Sequence, residues 1–87
     1  MDDKKVSELI EQISRQMDTV TSDTTVPKNV RAAVSEARQK LNASGDYVVR
    51  IAGAIYSIDN VSNDINLPPQ ARTTIWSILS ALESIKE

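Results

Sequence analysis

The chain has 87 residues, ten Lys and Arg against twelve Asp and Glu, a net charge of −2, and neither Cys nor His. That composition excludes disulfides, thiolate or imidazole metal sites and catalysis by thiol or imidazole. It also argues against nucleic acid as the main partner, because binding phosphates needs a basic surface that displaces counterions.

One domain covering 1–87 is expected, near the lower end of sizes that fold without staples. Aromatic residues are 3% and Phe is absent, so the core should be aliphatic. No apolar run approaches the roughly 18–20 residues that cross a bilayer. The charged start, MDDKKVSELIEQ, lacks the apolar stretch of a signal peptide. A cytoplasmic protein with no membrane contact is the expectation.

The first periodic segment covers about 3–20. Val6, Ile10, Ile13, Met17 and Val20 recur at steps of three and four, which places them on one face of a helix. Asp2 and Asp3 stand where acids favour a helix N-terminus. The polar run TSDTT then ends the pattern, since such side chains compete for backbone hydrogen bonds.

Pro27 opens a second helix over about 27–43, because a proline in the first turn loses no intrahelical bond. Val30, Val34, Ala37 and Leu41 form its apolar stripe, and NASGD stops it, with Gly45 as the expected left-handed terminator. The third segment, DYVVRIAGAIYSIDNV, has β-branched residues that suit a strand. Its Tyr47, Ile51, Ala54, Ile58 and Val61 nevertheless keep helical spacing. It is apolar on most sides, which predicts a helix that is buried or lies at an interface. The fourth segment, about 68–86, begins at Pro68 and Pro69 and carries Ala71, Ile75, Ile78, Leu79, Leu82 and Ile85 on one broad face.

An offset of 41 residues superimposes the two halves. Ile10 meets Ile51, Asp18 meets Asp59, Val20 meets Val61 and Asp23 meets Asp64. Pro27 meets Pro68, Arg31 meets Arg72 and Leu41 meets Leu82. The third segment thereby aligns with a clearly amphipathic helix. The predicted unit is a helix, an Asp-bearing turn and a Pro-led helix with Arg in its first turns, repeated over about 3–43 and 46–86. Its period resembles a HEAT-type hairpin. Two hairpins are too few for a solenoid, so they must close on each other or complete their burial by dimerising. The predicted fold is all-α, a compact four-helix bundle of two HEAT-like hairpins.

The run SNDINLPPQARTTIWSILSALE, preceded by DTTVPKNVRAAVSEA, resembles Uncharacterised Protein Family 0147 over essentially the whole chain. Asp64, Pro68, Arg72 and the Ile75-Trp76 pair carry the resemblance. It implies a compact helical bundle in an archaeal cytoplasm, and it assigns no activity and no functional residues.

Two sets of residues compete for a functional or a structural reading. In the functional reading, Asp23 with Arg31 and Asp64 with Arg72 make a paired acid and base in a groove between hairpins. The architectural reading is favoured: Asp accepts bonds from the N–H groups of the Pro-led helix, and Arg reaches back to Asp or to turn carbonyls. Trp76 borders the apolar face, where it either seals the core rim or anchors a partner. Tyr56 stands with Ala52 and Gly53, whose small size would let another helix approach.

The Asp59/Asp64 and Asp2/Asp3 pairs match no cation-binding loop. No metal or cofactor is expected. Two Gly residues cannot form a phosphate cradle. The functional expectation is a cytoplasmic protein–protein interaction or adaptor module without catalytic activity, which binds an unidentified protein partner and self-associates as a homo-oligomer. The alternative is an RNA- or ribosome-associated accessory role through Lys28, Arg31, Arg38 and Lys40.

Overall fold

The computed structural model describes residues 2–86, with side chains through Ile85. Four helices follow in order: α1 (Asp3–Thr21), α2 (Lys28–Leu41), α3 (Tyr47–Asp59) and α4 (Pro69–Lys86). There is no strand among the described residues, so the helical spacing of the third segment prevails over its β-branched content.

Each helix starts for a local reason. Asp2 caps α1 by accepting a bond from the Lys5 N–H at 2.8 Å, and Asp46 caps α3 through the Val48 N–H at 2.8 Å. Each bond satisfies a donor that the first turn would otherwise leave unpaired. Pro27 takes the cap position of α2 without a side-chain bond, while Pro69 is the first residue of α4. A proline there forfeits nothing.

The expected end of α2 needs correction. The helix stops at Leu41, and Asn42 closes it by donating its N–H to the Arg38 carbonyl. Gly45 has a φ of +115°, so it does supply a positive-φ residue. It does so inside the α2–α3 connection, after the helix has already ended.

The apolar stripes face one another. Ile13, Met17, Val30, Val34, Leu41, Ile51, Ile58, Ile75, Ile78 and Leu82 are all buried in one continuous cluster. A fully buried Val, Leu, Ile or Met side chain stabilises the fold by about 1.5–3 kcal/mol relative to exposure, so this cluster is the main favourable contribution. α1 packs on α2 and α4, and α3 packs on the same two, with the most extensive contact between α2 and α3. The two hairpins thus close on each other, and the radius of gyration is 12.2 Å. A compact chain of this length is expected at about 12 Å, so the core is complete within one chain.

The three serines buried in this core are paired, whereas the buried Nε atoms of Arg38 and Arg50 make no hydrogen bond. Ser14 accepts from Asn42 Nδ2 at 3.0 Å, Ser57 accepts from Lys40 Nζ at 2.9 Å, and Ser62 donates to the Asp59 carbonyl at 3.1 Å. These bonds avoid the cost of an unsatisfied buried hydroxyl, about 1–3 kcal/mol each.

Candidate functional site

The duplicated Asp, Pro and Arg build two turns. Asp23 Oδ1 accepts from the Thr25 N–H at 2.9 Å, and Asp64 Oδ1 accepts from the Asn66 N–H at 2.8 Å. Both are Asx turns, in which the side chain bonds backbone two residues on. In each turn the Asp carbonyl also accepts from the residue three positions later, Val26 at 3.1 Å and Leu67 at 3.2 Å. The result is the same twice: an apolar side chain, Val26 or Leu67, drops into the core just before its helix.

The sequence expectation is therefore corrected in one respect. The two carboxylates order the turn itself and do not cap the helix that follows. The arginines take the second of their two expected roles. Arg31 Nε donates to the Val26 carbonyl at 3.1 Å, and Arg72 Nη2 donates to the Asp64 carbonyl at 3.3 Å. Neither guanidinium is hydrogen-bonded to the Asp carboxylate. Asn29 Nδ2 donates to Asp64 Oδ2 at 3.1 Å, tying the start of α2 to the turn of the other hairpin.

These bonds stabilise the ionised carboxylates. The Thr25 hydroxyl and N–H hold Asp23 below the ordinary aspartate value, with a small contribution from Arg31. The Asn66 N–H and the Asn29 amide do the same for Asp64, with a small contribution from Arg72. A lowered pKa here reports turn construction and equips neither Asp to act as a base at neutral pH.

The outer face of α3 has a different character. Val49 is 70% exposed and Tyr56 69%, and Val48 and Ala52 are exposed beside them. Residues 49, 52 and 56 follow helical spacing, so they form one apolar strip along the outside of the bundle. Gly53 does not belong to this open strip. The aliphatic stem of Lys40 from α2 lies over it, and a Cβ on Gly53 would stand 3.3 Å from Lys40 Cδ. Its missing side chain admits a neighbour from the same chain, which corrects the expectation of a docking notch. Lys40 Nζ continues to Ser57 and lies 5.9 Å from the centre of the Tyr56 ring.

Trp76 is 54% exposed on α4. It lines a cleft of about 210 Å³ with Leu79 and Glu83 of its own helix, Asp59 at the end of α3, and Ser62 and Asn63 beyond it. The ring therefore stands at the rim of the core and also walls an open site. Its signal was present in the repeat. At the offset of 41, Arg38 aligns with Leu79 and Ser35 with Trp76, so the two hairpins differ where the cleft lies.

The basic residues of α2 are largely engaged within the chain. Arg31 bonds its turn, Arg38 pairs with Asp18, and Lys40 contacts Glu36 at 3.5 Å as well as Ser57. Among the described residues, no group of three or more carboxylates is placed to hold a metal ion, and no helix is long and apolar enough to cross a membrane.

The whole arrangement matches known proteins. The model of the uncharacterised protein family UPF0147 covers residues 1–85. The chain belongs to this family. A UPF0147 protein of Methanocaldococcus jannaschii is 41% identical over 85 residues, spanning 97% of this chain and 91% of that protein. One from Thermococcus kodakarensis is 43% identical over 83 residues, spanning 93% and 100% respectively. A crystal structure of a UPF0147 protein from Thermoplasma acidophilum superimposes with a TM-score of 0.85 at 31% identity, covering 93% of this chain and 98% of that one. A crystal structure of a protein of unknown function superimposes with a TM-score of 0.86 at 41% identity, covering 93% of both chains. Relatives of UPF0147 from archaea thus share both the sequence and the four-helix architecture.

Proposed function

We propose that this UPF0147 protein is a non-catalytic interaction module of the cytoplasm, which offers the outer face of α3 to another polypeptide, a second copy of itself included. The observation that carries this reading is the strip of Val48, Val49, Ala52 and Tyr56 left outside a core that is already complete. Large apolar side chains grouped on one exposed helix face mark contact surfaces. Tyr56 suits the role, since a tyrosine combines apolar area with a polar tip and is enriched in interface cores. The HEAT-like construction of the hairpins supports the reading by analogy of architecture.

Site-specific photo-crosslinking in cells tests it. A benzoylphenylalanine label at position 49 is expected to join one dominant polypeptide, whereas the same label at Glu8, exposed on the diagonally opposite helix α1, does not. An adduct of twice the chain mass identifies a second copy as the partner. No adduct from position 49, or equal adducts from both positions, overturns the reading.

A further inference from the structure

The two hairpins carry the same carboxylate at corresponding positions and satisfy it differently. In the first hairpin Asp18 of α1 faces Arg38 of α2, whose Nε lies 2.7 Å from Oδ1 while Nη2 donates to Oδ2 at 3.4 Å. The Nε–H is buried and points off the line to its oxygen, so this contact is an ion pair more than an aligned hydrogen bond. In the second hairpin Asp59 stands 41 residues after Asp18, but the arginine position holds Leu79. Where Arg38 fills the first hairpin, the second has the cleft of about 210 Å³ lined by Asp59, Glu83, Trp76 and Leu79. Among the described residues no cationic side chain lies within ion-pair distance of either carboxylate.

We infer that this cleft receives the guanidinium of an arginine supplied by a partner polypeptide, in the place that Arg38 takes in the first hairpin. Three features select that ligand. Two carboxylates call for a cation, and a planar guanidinium satisfies carboxylate oxygens through several donors at once. An indole wall favours the same group by cation–π attraction and stacking. The volume is below the roughly 300–1,000 Å³ of sites for drug-sized molecules, so it suits one side chain better than a whole metabolite. Asp59 also lies one helical turn beyond Tyr56, so a chain crossing the α3 strip reaches the cleft. The inference rests on the interaction-module reading and adds the chemistry of the partner.

Trp76 is the only tryptophan, so its indole N–H resonance reports on the cleft alone. Titration of the intact protein with the peptide acetyl-Ala-Arg-Ala-amide is expected to move that resonance saturably. The neutral citrulline peptide should leave it in place. Asp59→Asn and Glu83→Gln should each weaken binding about threefold, the size of partly exposed ionic and cation–π contacts. Leu79→Arg should rebuild the internal pair and abolish the response. A shift that never saturates, an equal response to citrulline, or full binding by Asp59→Asn overturns the inference. Val49→Ser separates the two surfaces, since it should keep the peptide response while reducing the adducts formed by a benzoylphenylalanine label moved to position 56. Crosslinks without a peptide response would sink the arginine assignment and leave the α3 reading standing.

Discussion

Gly53→Ala sets two effects of opposite sign against each other, and the structure decides between them. Glycine inside a helix is worse than alanine by about 0.8–1.0 kcal/mol, so relief of that penalty favours the variant. Against it stands the new Cβ, 3.3 Å from Lys40 Cδ, with the other lysine carbons at 3.8 Å and beyond. Only a few tenths of an ångström must be recovered at a methylene of a side chain with several rotatable bonds. If Nζ keeps its 2.9 Å bond to Ser57 during that adjustment, nothing is lost. If Lys40 is expelled, the buried Ser57 hydroxyl loses its partner at a cost of about 1–3 kcal/mol, and the sign reverses.

The small displacement decides for the first outcome. We expect Gly53→Ala to raise stability by about 0.5 kcal/mol, which in a domain of this size lifts Tm by about 2–4 °C. Chemical denaturation of the double-mutant cycle with Lys40→Ala isolates the contact. In the Lys40→Ala background the alanine should show its full gain of about 1 kcal/mol. A loss of more than about 1 kcal/mol from Gly53→Ala alone would refute this reasoning, because it would mean that the lysine cannot move.

Three further predictions concern the connections. Gly45→Ala meets no atom within 4 Å yet must adopt a φ of +115°, so it should cost about 1–2 kcal/mol through backbone strain alone, measurable by urea denaturation. Arg31→Ala should cost about 1 kcal/mol and Arg72→Ala only a few tenths, because Arg31 is half-buried with the shorter bond and Arg72 is exposed; equal losses in thermal unfolding would contradict that ranking. Asp23 and Asp64 have folded pKa values lowered from 3.8, so their contribution to stability is fully present above about pH 4. It disappears as pH falls through the lower folded values, so Asp23→Asn with Asp64→Asn should lower Tm at neutral pH and flatten the acid side of a Tm-against-pH curve, the variant and the parent converging at low pH.

Much of the candidate surface was hidden in the sequence for identifiable reasons. The apolar excess of the third segment predicted burial or an interface, and the helix has one buried apolar face and one exposed apolar strip. Ile51, Ala54 and Ile58 enter the core while Val49 and Tyr56 remain outside. Helical spacing separates these sets only after the core direction is known. Gly53 looked like a docking notch because a sequence does not show which neighbour fills a missing side chain. The cleft was readable in principle, as a mismatch at Arg38 and Leu79 within an otherwise repeating pattern.

The linear chain determined the helices, their approximate limits and the repeated turn, because these depend on residues within a few positions: 3.6-residue periodicity, proline at helix starts, and Asp bonding the backbone two residues on. Tertiary structure alone decided that α2 and α3 of different hairpins share the largest contact, that Lys40 covers Gly53, and that an open cleft lies beside Asp59 where Leu79 stands at the counterpart of Arg38. Those facts join residues distant along the chain, and only the closing of one hairpin on the other brings them together.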